Sequence, residues 1–171
     1  MTRAGFVSLV GRPNAGKSTL TNALVGDKVA ITSARPQTTR RVIRGIVNRD
    51  GGQVIMVDTP GMHRPRTLLG QRLNDLVRDT LGDVDLVALC LPATDKVGPG
   101  DAFLLEEIKK SRTPVIALVT KTDLVSKEQL ANHLIEVAEF YDFKEIVPVS
   151  AITGENVDYL ADLLISMMEE S

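Results

Sequence analysis

The chain has 171 residues, of which 43% are hydrophobic and 25% are charged, and its formal net charge is −2. These values predict one soluble globular domain over residues 1–171 with a sizeable core. No apolar run approaches the roughly 20 residues that cross a bilayer, and no secretory signal is recognisable, so we expect a cytoplasmic protein. The single cysteine, Cys90, excludes a disulfide framework, and its apolar neighbours predict a buried strand position.

Short β-branched or leucine-rich runs predict six strands, at residues 5–10, 41–47, 53–57, 86–91, 115–119 and 146–149. Amphipathic segments with helical spacing lie between most of them, at residues 18–25, 69–81, 101–111, 127–140 and 157–168. This alternation predicts a three-layer α/β fold with a mostly parallel sheet. Asp50-Gly51 between the second and third strands indicates a hairpin, so one antiparallel pair is expected at the sheet edge.

Two longer stretches, residues 26–40 and 59–68, have no regular pattern. Long irregular loops in a compact domain are usually functional, because binding residues concentrate on loops that a rigid scaffold positions. Both stretches follow elements that would end near the carboxyl edge of the sheet, where ligands bind in α/β folds. We expect these two loops to be the switches of a ligand-dependent protein.

A glycine-rich segment between the first strand and the first helix fits the phosphate-binding loop pattern. Its residues are Gly11-Arg12-Pro13-Asn14-Ala15-Gly16-Lys17-Ser18. Successive backbone N–H groups of such a loop curl around phosphates at the start of a helix. Lys17 can place its charge on the β- and γ-phosphates, and the Ser18 hydroxyl can ligate Mg²⁺. The segment therefore predicts a phosphate ligand.

A second motif, Asp58-Thr59-Pro60-Gly61, closes the third strand and puts a carboxylate at its end. Asp58 can hold Mg²⁺ through water, and the Gly61 N–H can approach a γ-phosphate because glycine has no side chain in the way. By itself this motif is typical of an ordinary turn. After a phosphate loop, it predicts a sensor of the third phosphate.

A third motif, Thr120-Lys121-Thr122-Asp123, follows the fifth strand. Guanine presents its N1–H and N2 amine side by side, and the two Asp123 oxygens can accept from both, whereas adenine would leave a buried carboxylate unpaired. Lys121 can lay its methylene stem along the base. Ser150-Ala151-Ile152 follows the last strand, where the small Ala151 permits a backbone N–H to approach guanine O6. The four motifs together predict GTP.

Charge is divided unevenly along the chain. Residues 1–72 hold 12 Lys and Arg against 3 Asp and Glu, whereas residues 73–171 hold 8 against 19, giving +9 and −11. The basic half can serve a bound triphosphate or an RNA backbone, or form a solvated face that pairs with the acidic half. The sequence leaves these alternatives open.

The most specific segments are the phosphate loop, Val29-Ala30-Ile31-Thr32-Ser33, Pro36-Gln37-Thr38-Thr39-Arg40, Asp58-Thr59-Pro60-Gly61 and Pro148-Val149-Ser150-Ala151. In these segments, over essentially its whole length, the chain resembles the GTPase domain of the bacterial Era family of P-loop GTPases. The resemblance implies the P-loop NTPase fold of small GTPases and Mg²⁺-dependent hydrolysis of GTP to GDP and phosphate. It also implies that Thr39, or failing it Thr38, closes over Mg²⁺ when GTP is bound.

Era-like proteins carry a further KH-type RNA-binding domain that docks on 16S ribosomal RNA during assembly of the small ribosomal subunit. No GXXG loop of the KH kind occurs in the 171 residues, so we expect RNA binding to belong to a longer parent protein. The resemblance further implies a cytoplasmic monomer that can associate peripherally with the inner face of the cell membrane.

Two departures from the usual GTPase pattern bear on mechanism. Thr120 stands where the guanine motif usually has Asn, and its shorter side chain is expected to bridge the base and the phosphate loop less well. Met62 stands where many GTPases have a glutamine that orients the attacking water, so no side chain is assigned as general base. Asn14 matches an asparagine that coordinates an activating K⁺ in related GTPases, or it serves loop geometry alone. His63 is expected to contact a partner or to be unimportant, and His133 to lie on the surface.

The predicted site has three parts. The residues predicted to act in hydrolysis are Lys17, Thr39, Gly61 and Asn14. The predicted Mg²⁺ ligands are Ser18, Thr39 and Asp58. The predicted nucleotide-binding residues are Gly11, Arg12, Pro13, Asn14, Ala15, Gly16, Lys17, Ser18, Thr19, Asp58, Thr59, Pro60, Gly61, Met62, Thr120, Lys121, Asp123, Ser150, Ala151 and Ile152. Two alternatives remain at this stage, an ATP-dependent kinase or ATPase and a nucleotide-binding scaffold without turnover.

Overall fold

The computed structural model describes residues 3–12, 14–25, 42–58 and 81–168. Its strands are β1 (Arg3–Val10), β2 (Val42–Arg49), β3 (Gly52–Asp58), β4 (Leu86–Cys90), β5 (Val115–Val119) and β6 (Ile146–Pro148). Its helices are α1 (Lys17–Val25), α2 (Pro99–Lys110), α3 (Lys127–Phe140) and α4 (Val157–Ser166), with a short 3-10 helix at Thr122–Leu124. Of the predicted helix 69–81, only Leu81 is among the described residues, and it is helical. The predicted switch loops, 26–40 and 59–68, lie outside the described residues.

The six strands form one sheet in the order β2-β3-β1-β4-β5-β6. Neighbouring strands from β3 to β6 pair in parallel, and only β2 runs antiparallel to its neighbour. Asp50 and Gly51 form the turn between β2 and β3, where Arg49 faces Gly52 across the hairpin. The prediction of a mostly parallel sheet with one antiparallel pair at its edge is confirmed.

Helices cover both faces of the sheet. Along β5, Ile116 and Leu118 point into a core shared with α1 and α4, whereas Val115, Ala117 and Val119 point into a core shared with α2 and α3. Both β4 and β5 are buried at every position because neither face of the sheet meets water there. This three-layer arrangement also matches the prediction.

His133 differs from its predicted surface position, because the structure leaves only 6% of it exposed. It lies four residues before Val137, which is fully buried, so both fall on the helix face that packs against the core. The packing against this helix face therefore buries the ring despite its polarity. Among the described residues, no helix combines the length and the apolar character needed to span a membrane.

Cys90 ends β4 and is completely buried, as its apolar neighbours predict. Burial raises the pKa of its thiol from 9.0 to about 12, and the nearby charge of Lys17 opposes this rise without cancelling it. The thiol is therefore neutral at physiological pH and behaves as a small hydrophobic group.

Candidate nucleotide-binding site

The phosphate loop lies between the end of β1 and the start of α1, as its sequence predicts. Gly16 adopts a φ of 92° and Asn14 a φ of 67°, both in the left-handed region that ordinary side chains disfavour. The Ala15 N–H donates to the Arg12 carbonyl over 3.1 Å, which closes a turn, and the Leu20 N–H donates to the Gly16 carbonyl over 2.9 Å, which opens the helix. This geometry places the N-terminus of α1 directly after the loop, where a helix favours an anion.

Lys17 begins α1, and its Nζ donates to the Gly11 carbonyl over 2.8 Å. This hydrogen bond holds the ammonium group of Lys17 across the phosphate loop, back to the first residue of the loop. Ser18 and Thr19 follow in the first turn and are exposed. The three residues therefore present an ammonium and two hydroxyls around the helix N-terminus, groups suited to phosphate and its metal ion.

The segment Thr120-Lys121-Thr122-Asp123, predicted to read guanine, is held against the phosphate loop by two consecutive side chains. Thr120 Oγ1 donates to the Ala15 carbonyl over 2.7 Å, and Lys121 Nζ donates to the Asn14 carbonyl over 2.5 Å. Lys121 has a φ of 59°, in the left-handed region. The loop after β5 and the loop after β1 are therefore joined at two neighbouring peptide groups.

A cavity of about 180 Å³ opens where these two loops meet the loop after β6. It is lined by Gly16, Thr19, Leu20, Thr120, Lys121, Asp123, Leu124, Val149, Ala151 and Ile152. Seven of these residues belong to the predicted nucleotide set, brought together from positions more than 130 residues apart in the chain. The apolar walls suit a flat ring, and the polar groups lie around it.

Asp123 supplies the carboxylate of this cavity, and Ser150 orients it. Ser150 is fully buried, and its Oγ donates to Asp123 Oδ1 over 2.8 Å while accepting from the Thr153 N–H over 3.1 Å. Asp123 Oδ2 has no hydrogen-bond partner among the described residues, and the side chain is exposed to the cavity. One oxygen is thus fixed by the protein, and the carboxylate remains able to accept from a base.

Three lining residues were not predicted from the sequence: Leu20, Leu124 and Val149. Leu20 and Val149 look like ordinary core residues in the sequence. Leu124 is 64% exposed and Ile152 is 76% exposed, so two large apolar side chains flank the mouth of the cavity. The position of Leu124 directly after Asp123 was the sequence signal that could have identified it.

The metal part of the predicted site is described only in part. Asp58 ends β3, which pairs in parallel with β1, so its backbone lies at the same sheet edge as the phosphate loop. Pro13, Thr39, Thr59, Pro60, Gly61 and Met62 lie outside the described residues. The side chain of Arg12 lies on Asp101 rather than in the cavity, and only its backbone contributes to the loop.

Comparisons with known proteins agree with this architecture. The sequence model of the family described as 50S ribosome-binding GTPase matches residues 6–121. GTPase Era of Nocardioides sp. is 62% identical over 174 residues, covering 98% of this chain and 56% of that protein. GTPase Era of Streptomyces coelicolor is 59% identical, covering 98% and 55% respectively. The chain therefore spans about half the length of the curated relatives it matches.

Two solved structures share the fold at 33% sequence identity. An Aquifex aeolicus Era variant bound to GDP and AlF4⁻ superposes with a TM-score of 0.82, covering 99% of this chain and 58% of that chain. Era in complex with MgGDPNP and nucleotides 1506–1542 of 16S ribosomal RNA superposes with a TM-score of 0.83, covering 100% and 59%. Together with the family match over most of its length, these likenesses show that the chain belongs to the 50S ribosome-binding GTPase family and that its relatives include the Era GTPases.

Proposed function

We propose that the chain is a GTP-binding and GTP-hydrolysing switch. The observation that carries the proposal is the position of Asp123, held by buried Ser150 at a cavity that the phosphate loop and its helix also line. A carboxylate accepts hydrogen bonds and cannot donate them, so it pairs with the adjacent N1–H and N2 amine of guanine. Adenine has an acceptor at N1 and no amine at C2, so the same carboxylate disfavours it.

Mg²⁺ belongs to this proposal because the donor set is made of oxygens. Ser18 offers a hydroxyl in the first turn of α1, and Asp58 ends the neighbouring parallel strand, so both come from the sheet edge that carries the phosphate loop. Thr39 is proposed as the third ligand. Held by these residues, Mg²⁺ would supply positive charge that offsets the negative charge developing on the phosphate oxygens.

Hydrolysis in this proposal depends on positioning and charge rather than on a side-chain base. Lys17, already held across the loop by the Gly11 carbonyl, places its ammonium beside the β- and γ-phosphates. The Gly61 N–H is proposed to contact the γ-phosphate, and the apolar Met62 cannot polarise a water. Turnover of the isolated chain should therefore be slow.

Asn14 is proposed to help seat an activating K⁺ beside the phosphates. Its side chain is exposed at the phosphate loop, and the loop linkage to Lys121 uses its backbone carbonyl and not its amide. The amide is thus available to a cation without disturbing that linkage. A cation bound there would place positive charge beside the phosphates, as an arginine finger does in other GTPases.

The partners proposed for the full-length protein are 16S ribosomal RNA and the small ribosomal subunit. A solved Era structure contains nucleotides 1506–1542 of 16S ribosomal RNA, and this chain covers 59% of that protein. A KH-type domain outside these 171 residues is proposed to make most of the RNA contact. A cytoplasmic monomer that associates peripherally with the membrane completes the proposal.

The proposal is tested by binding and single-turnover assays with the 171-residue protein. GDP should bind more tightly than ADP, and GTP with Mg²⁺ should release phosphate slowly. Lys17→Ala should remove tight GTP binding while far-UV circular dichroism stays unchanged, because alanine favours the helix that Lys17 begins. Equal affinity for ADP would favour an ATPase or kinase, and intact GTP after hours would favour a scaffold without turnover.

A further inference from the structure

Arg12 is a phosphate-loop residue whose side chain contacts a distant helix. Its Nε donates to Asp101 Oδ1 over 2.8 Å, and its Nη2 lies 3.7 Å from Asp95 Oδ2. Asp101 is 1% exposed, whereas the Asp95 side chain is 53% exposed. A buried carboxylate is costly unless it is paired, so the bond between Arg12 and Asp101 is the stronger constraint.

The first turn of α2 is shaped to receive this arginine. The two carboxylate oxygens of Asp101 have different partners. Oδ2 accepts from the Gly98 N–H over 3.0 Å and caps the helix, whereas Oδ1 accepts from Arg12. A Cβ on Gly100 would lie 3.0 Å from Arg12 Cδ, so glycine leaves room for the arginine stem. The contact combines a charge-assisted hydrogen bond with close packing.

The backbone around Arg12 connects this contact to the groups that face the phosphates. The Arg12 carbonyl accepts from the Ala15 N–H, and the preceding carbonyl, of Gly11, accepts from Lys17 Nζ. Fixing the Arg12 side chain therefore restrains both the turn of the loop and the acceptor that orients Lys17.

The segment from β4 to α2 also holds the guanine motif. The Ala93 N–H donates to the Thr120 carbonyl over 2.8 Å, and the Thr120 N–H donates to the Leu91 carbonyl over 3.3 Å. The base loop and the phosphate loop thus rest on one stretch of chain, residues 91–101.

We propose that Asp101 is a positioning residue for nucleotide binding, which acts through Arg12 to hold the phosphate loop in its binding shape before the nucleotide arrives. This proposal rests on the proposed GTP-binding function. Preorganised groups bind more tightly because the cost of ordering them is met during folding. Loss of the contact should therefore weaken phosphate binding even though neither Asp101 nor the Arg12 side chain reaches the base cavity.

Asp101→Asn is the first test, with release of a fluorescent GDP analogue as the readout. The asparagine oxygen can still cap α2 at Gly98, but its amide cannot accept from Arg12. GDP release should accelerate on the order of tenfold, the effect of losing one charge-assisted hydrogen bond. The matched control is Asp95→Asn, which removes the same charge from an exposed partner of the same arginine and should change release within about twofold.

Arg12→Gln keeps the α2 cap intact and should accelerate GDP release to a similar degree, and the double variant should be no worse than either single variant. Release is measured well below each unfolding midpoint. A lowered midpoint with unchanged GDP release, or losses that add in the double variant, would overturn the inference. Failure of the unaltered protein to bind GDP at all would instead overturn the proposed function and the inference with it.

Discussion

The hydroxyl of Thr120 donates a 2.7 Å hydrogen bond to the backbone carbonyl of Ala15, a residue 105 positions earlier in the chain. Both residues are buried, at 4% and 1% exposure. The short hydroxyl of Thr120 therefore makes the phosphate-loop contact directly. The weaker contact with the base that is expected from threonine in place of asparagine stays a prediction.

Thr120→Val should weaken the structure at this junction. Valine matches threonine in shape but leaves the Ala15 carbonyl without its donor, which should lower the free energy of unfolding by about 1–3 kcal/mol and accelerate GDP release. Urea denaturation and nucleotide release measure the two effects.

The chain offers a matched control for that experiment at Thr122. It is also buried, and its Oγ1 has no hydrogen-bond partner among the residues that the structure describes. Thr122→Val should therefore be neutral or slightly stabilising. Equal destabilisation of both variants would mean that the hydroxyl of Thr120 contributes nothing specific.

Asp123→Asn should shift base preference from guanine to xanthine. Xanthine carries a carbonyl at position 2, which accepts from the new amide, whereas the guanine amine would meet a second donor. Competition between GTP and xanthosine triphosphate measures the shift. Ser150→Ala is the control, since loss of the 2.8 Å bond to Asp123 should lower affinity without reversing the preference. Unchanged GTP preference in Asp123→Asn would remove Asp123 as the base reader.

The K⁺ proposal predicts faster GTP turnover in KCl than in NaCl at equal ionic strength. Na⁺ matches the charge and the screening but not the radius. Asn14→Gly should abolish the difference while GDP affinity changes little, and glycine is the suitable replacement because Asn14 has a φ of 67°, which alanine would adopt only with strain. Phosphate release in the two salts is the measurement. Equal rates for the unaltered protein would leave a partner as the source of acceleration.

Cys90 should resist thiol reagents in the folded protein and react fully in denaturant. Its pKa is raised by burial from 9.0 to about 12, so the folded state keeps the thiol protonated after the unfolded state has ionised. The contribution of Cys90 to stability is complete below pH 9.0 and declines as the pH rises towards 12. Urea midpoints between these limits should fall more steeply for the unaltered protein than for Cys90→Ala. Parallel slopes would contradict the shift.

Local patterns in the sequence determined the secondary structure and the hairpin turn, because these features depend on residues that are close together in the chain. Alternating apolar runs predicted the strands and helices, and Asp50-Gly51 predicted the antiparallel edge, because a turn depends on the residues inside it. The order of the motifs after successive strands predicted a common site, since parallel strands end at one edge. That reasoning brought Gly16, Lys121 and Ala151 to one cavity.

Only the tertiary structure decided which side chains meet across loops. The bonds from Thr120 to Ala15 and from Arg12 to Asp101 join residues 105 and 89 positions apart, and no local pattern encodes such a pair. His133 was misplaced for the same reason, because its burial follows from what packs on its helix face. Spacing along the chain determines which face or edge a residue occupies, whereas the packing of helices on the sheet determines what that residue touches.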